Sequence, residues 1–77
     1  MQRLPENGGA LLEYRQEARR GIWMKNMLMP IDALFVNAQG QIVATFSEIQ
    51  PCHANARCPI YEADNTQYIL ETPVGFI

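Results

Sequence analysis

Ile31-Asp32-Ala33-Leu34-Phe35-Val36-Asn37-Ala38-Gln39-Gly40-Gln41-Ile42-Val43-Ala44-Thr45-Phe46-Ser47-Glu48-Ile49 is the stretch whose reading decides the fold. Its two flanks are rich in β-branched and aromatic residues, which pack well on a pleated surface. Between them, Asn37-Ala38-Gln39-Gly40 supplies turn chemistry, with Gly40 suited to the left-handed position that closes a type I turn. The pattern predicts a hairpin, with one strand from Ile31 to Val36 and a return strand from Gln41 to Ile49. Successive strand side chains point to opposite faces, so Asp32 shares a face with Leu34 and Val36, while Ile31, Ala33 and Phe35 share the other. Both faces are largely apolar. Asp32 is therefore shielded and needs a donor, because an unpaired buried polar group costs about 1–3 kcal/mol.

Upstream of the hairpin, Ile22-Trp23-Met24-Lys25-Asn26-Met27-Leu28-Met29-Pro30 holds the only tryptophan and sets Lys25 and Asn26 among apolar neighbours. Pro30 argues against a helix here, since it lacks a backbone donor and clashes with the preceding turn. A strand from Ile22 to about Met27 is expected, which makes Lys25 or Asn26 the natural donor to Asp32. Further out, Leu4 to Gly9 reads as a turn and Ala10 to Tyr14 as a short strand. Arg15 to Arg20 reads as a single helical turn or a charged loop, Gln50 to Asp64 as loop, and Gln67 to Thr72 as a last strand. The expected architecture is a single all-β domain over residues 1–77, a small sandwich or flattened barrel of about five short strands with little helix.

The chain has 77 residues, 48% of them apolar and 18% charged, with a formal net charge of −2. That composition fits a globular domain and excludes the basic footprint of a nucleic-acid binder. Arg15, Arg19 and Arg20 gather in one segment, but Glu13 and Glu17 are interleaved with them, as on a solvated face. No apolar run reaches the length of a membrane span, because Lys25, Asn26, Pro30 and Asp32 interrupt the longest one. The first residues lack the charged start and apolar centre of a signal peptide, and both ends suggest a trimmed chain. So small a core needs support from a disulfide, a metal or a partner. If elements are missing from its ends, exposed sheet edges and some tendency to self-associate are expected.

Two groups of residues invite a functional reading. Trp23, Lys25, Asn26 and Asp32 form either a small-ligand pocket, with the indole as a stacking face, or a structural network in which Asp32 binds backbone donors. Cys52 and Cys58 lie in one loop, flanked by Pro51 and Pro59. In an exported protein they form a disulfide worth roughly 2–3 kcal/mol. In a cytoplasmic one they are free thiols or a redox couple. His53, Cys52, Cys58 and the methionines Met24, Met27 and Met29 would suit copper(I). However, methionines in a β core pack, and His53 is the only histidine. No metal site and no cofactor are expected. The order and spacing of a Ser/His/Asp triad, a phosphate-cradling glycine loop and a zinc pattern are all missing from the sequence. No catalytic residue is assigned, and the residues favour a non-catalytic role over an enzyme using Asp32 and Lys25 as an acid/base pair.

Trp23-Met24-Lys25-Asn26, then Pro30-x-Asp32 with its apolar strand, glycine turn and β-rich return, resembles the prokaryotic family called domain of unknown function 192. Pro51-Cys52 and Cys58-Pro59 leading to Tyr68-Ile69-Leu70-Glu71 extend the likeness, as does the segment Leu4 to Leu12, in which Ala10 stands where a methionine is more typical. The family's pattern runs further at both ends, so this chain looks like a shortened member. The resemblance implies a compact, mostly β domain, often exported in bacteria, and carries no established activity. The expected role is a small non-catalytic binding or accessory domain of the cell envelope, periplasmic or extracellular, with a small ligand or an envelope protein as partner. A structural module docking through its sheet edges, and a cytoplasmic location, stand as alternatives.

Overall fold

The computed structural model describes residues 9–24, 27–53 and 57–75. Its four strands are β1 (Ala10–Trp23), β2 (Ile31–Val36), β3 (Ile42–Ile49) and β4 (Ile60–Pro73). They form one antiparallel sheet in the order β1-β4-β2-β3, so β1 and β3 are its edges. No helix occurs among the described residues, and the all-β reading holds.

The hairpin forms as its residues dictate. Gly40 takes φ +85°, its N–H donates to the Asn37 carbonyl at 3.1 Å, and the Asn37 N–H donates to the Gln41 carbonyl at 2.9 Å. Asn37 adds its side chain, whose Oδ1 accepts from the Gln39 and Gln41 N–H groups at 3.0 and 2.9 Å. This is the local bonding that makes Asn frequent in turns.

The strand count is four rather than about five, because β1 and β4 each join segments that read separately in sequence. Arg15–Arg20 is neither a helical turn nor a loop but the middle of β1, an edge strand whose charged side chains reach solvent. Ile22 and Trp23 end that same strand, so the separate strand from Ile22 to Met27 does not exist as expected. Lys25 and Asn26 lie outside the described residues. Ile60–Asp64, expected as loop, is the first half of β4 and pairs with Gly21, Ile22 and Trp23 of β1. The predicted turn from Leu4 falls outside the described residues except for Gly9.

The long β1/β4 pair bends where its register slips, between Glu13 and Arg20 on one strand and around Asn65 on the other. Asn65 sits at φ +56°, a left-handed conformation that asparagine tolerates better than most residues. Bulges of this kind sharpen the twist of a pair. Beyond the bend, Tyr61 of β4 meets Phe46 of β3 edge to face, with ring centroids 5.5 Å apart, although β2 lies between those strands in the sheet. The sheet is therefore open but folded over one of its faces.

That face holds the core. Ile31, Ala33 and Phe35 of β2 are fully buried with Ile69 of β4, and Ile49 of β3 and the loop residues Met24 and Met27 are buried beside them. Phe35 and Phe46 pack edge to face at 5.4 Å. The alternation inferred for β2 is thus correct. One charged residue intrudes on the apolar side: Glu71 lies across from Ala10 on β1 and from Ala33 on β2, two small neighbours that leave it room. It is 7% exposed.

Candidate functional site

Asp32 is the second residue of β2 and pairs with Thr72 of β4, on the face away from the core. It is 1% exposed. Its two carboxylate oxygens accept hydrogen bonds from two separate segments. The Glu48 N–H donates to Oδ1 at 2.8 Å, and the Gly75 N–H donates to Oδ2 at 3.0 Å. One side chain therefore ties β2 to the end of β3 and to the turn that follows β4. Each bond is charge-assisted and of the stronger kind.

The backbone at both donors is specialised for this contact. Glu48 takes φ +53° and Gly75 φ +105°, both positive. Glycine meets that demand without a Cβ, whereas a non-glycine residue held there carries strain of about 1–3 kcal/mol. At Glu48 the side chain of Asp32 helps to hold that conformation. Beside these contacts is an open pocket of about 290 Å³ lined by Asp32, Ser47, Glu48, Val74 and Gly75. It lies at the small end of ligand-binding sites. Two carboxylates and a hydroxyl against one valine make it a lining that suits hydrogen-bond donors.

The sequence-derived set is only partly placed. Asp32 is shielded as expected, and backbone N–H groups bond it. Lys25 and Asn26, the donors expected from sequence, lie outside the described residues. Trp23 ends β1 opposite Ile60, is 53% exposed, and does not line the Asp32 pocket. The remaining pocket residues escaped sequence reading. Gly75 carried a faint signal as a turn glycine, but nothing in Ser47-Glu48 marks a left-handed strand end.

Cys52 and Cys58 form a disulfide, with Cα atoms 5.8 Å apart. The thiols are thereby consumed and do not form the soft ligand set with His53. Among the described residues no group of three or more His, Cys, Asp or Glu side chains is placed to hold a metal. The Cys52 N–H donates to the Met24 carbonyl at 3.1 Å, which also accepts from the Met27 N–H at 3.1 Å. The stapled loop is thus pinned to the segment that buries two core methionines.

Away from this site an ion-pair cluster lies at the surface. Arg19 bridges Glu62 at 2.7 Å and Asp64 at 2.8 Å on the exposed side of the β1/β4 pair. Exposed pairs of this kind contribute little. Arg20 lies 4.0 Å over the Tyr14 ring. Among the described residues no helix is long and apolar enough to cross a membrane.

No curated protein and no solved structure matches the chain. The family model of DUF192, described as an uncharacterized ACR, matches residues 1–77. Its span takes in β2 with Asp32, the disulfide loop and every residue of the pocket. The chain belongs to the domain of unknown function 192 family.

Proposed function

We propose that this chain is a small non-catalytic binding or accessory domain of the bacterial cell envelope, with the Asp32 pocket as its recognition centre. The observation that carries the reading is a buried carboxylate, held by two backbone N–H groups, at an open pocket lined by Ser47 and Glu48. Such a lining recognises a small donor-bearing molecule, an ammonium or a hydroxylated group. Trp23, Lys25 and Asn26 stay with Asp32 in the proposed ligand-binding set, the exposed indole as an apolar contact face outside the lining of the pocket itself. Acid/base work by Asp32 is disfavoured, because each of its oxygens is already turned to a backbone donor. The envelope assignment rests on the disulfide, since such bonds persist in oxidising compartments.

Ethanolamine carries both donor types and is the probe of choice. Titrated into labelled protein, it should shift the amide resonances of Glu48 and Gly75 in a saturable manner. The double substitution Ser47→Ala with Glu48→Gln should weaken that response without lowering the melting temperature. Resonances that stay still up to saturating probe would end the binding reading of this pocket.

A further inference from the structure

We propose that the Cys52–Cys58 disulfide is a redox latch, which holds the Met24–Met27 corner against the core while oxidised and releases it on reduction. The two arms of the stapled loop grip neighbouring residues of the chain. On one arm, the Cys52 N–H donates to the Met24 carbonyl at 3.1 Å, and the Met27 N–H donates to the same oxygen at 3.1 Å. Both acceptor positions of that carbonyl are thereby used. On the other arm, Cys58 stands two residues before Ile60, which pairs with Trp23 at the end of β1. Trp23 and Met24 are thus held from opposite ends of one disulfide-closed loop.

The staple and the residues it holds differ in exposure. Cys52 and Cys58 are half-buried, among the exposed residues Pro51, His53, Arg57 and Pro59. Met24 is 2% exposed and Met27 8%. A reductant can therefore reach the bond while the methionines stay sealed. Among the described residues, the Cys52–Met24 bond is the one backbone hydrogen bond outside the strands that joins residues 24–29 to another segment. The ladders that β2 makes with β3 and β4, and the bonds from Glu48 and Gly75 to Asp32, do not pass through the loop. The corner can open while the sheet stands, as a local unit of lower stability.

The reductant is a dithiol, which supplies two electrons and two protons. Its thiolate attacks one sulfur, the S–S bond breaks through a mixed disulfide, and both cysteines end as thiols while the donor closes to its own disulfide. The constraint lost in this step lies within the opening unit, so it acts on the local equilibrium itself. Reduction should favour the open corner by roughly thirty- to a hundredfold, as expected for releasing so short a loop. Trp23, Lys25 and Asn26 of the ligand-binding set proposed above belong to this corner, and its release would withdraw them from the site. That consequence rests on the proposed function, whereas the release itself does not.

Methyl spectra of the intact chain, labelled at methionine and isoleucine and read with a soluble gadolinium chelate as the probe of exposure, test the proposal. In the oxidised chain, Met24 and Met27 should be as well protected from the chelate as Ile31 and Ile69. Dithiothreitol should increase the broadening of both methionine signals several-fold and leave the two isoleucines protected, and reoxidation should restore the first spectrum. The Met27 and Cys52 amides should exchange roughly thirty- to a hundredfold faster after reduction. Their rates should hardly depend on dilute urea, the mark of a local opening. Cys52→Ser with Cys58→Ser should behave as the reduced chain does. Neither measurement contains a ligand, so a failure here is distinct from a failure of the ethanolamine titration. Methionine methyls that stay protected after complete reduction overturn the proposal. So does a reduced chain in which Ile31 and Ile69 become exposed together with them, because the disulfide would then hold the whole fold.

Discussion

Two acidic residues sit in opposite circumstances on the two faces of this sheet. Asp32 meets backbone donors on the face away from the core, whereas Glu71 lies on the apolar side between small neighbours. Burial pushes the Glu71 carboxyl above its ordinary range. A carboxyl whose folded pKa is raised binds its proton more tightly in the folded state than in the unfolded chain. Stability contributed this way is fully present at low pH, below the unfolded pKa. It declines as pH rises from the unfolded pKa through the folded one, then levels off. Glu71→Gln should therefore raise the melting temperature at neutral pH and leave it nearly unchanged in acid. Melting curves of both proteins across that range check the expectation, and equal differences at every pH would refute it.

At the level of elements, the hairpin and the disulfide loop were legible because their signals are local. Asn37 to Gly40 names its own turn, and β2 alternates between buried and half-buried faces. The extent of β1 and β4 was not legible, for a physical reason. An edge strand with solvated sides does not need apolar residues, so Arg15 to Arg20 carries no strand pattern. Ile60, Tyr61, Glu62 and Ala63 pair with the distant end of β1, from Trp23 back to Arg20, and such pairing leaves no mark within a short window. The donors to Asp32 were hidden for another reason, since every residue except proline has a backbone N–H and none advertises where it points. The disulfide contributes at this level as well. Reducing it should destabilise the domain by roughly 2–3 kcal/mol, as expected for closing so short a loop. Denaturant midpoints with and without reductant measure this. Equal midpoints would mean that the loop does not hold the Met24–Met27 segment in place.

For the molecule as a whole, the bent β1/β4 pair closes over the core while Asp32 fastens the opposite side. β2, the end of β3 and the turn after β4 meet at that one carboxylate, and the proposed pocket exists only while they stay together. Asparagine in its place offers one acceptor oxygen and one amide group, so one of the two backbone donors would face another donor. Losing a charge-assisted bond typically costs about 1.5–3 kcal/mol. In a domain of this size that corresponds to a melting temperature lower by roughly 10–20 °C. Thermal unfolding of Asp32→Asn beside the parent is the most direct test of this arrangement. A fall of that order is the predicted result, and an unchanged melting temperature would contradict the account.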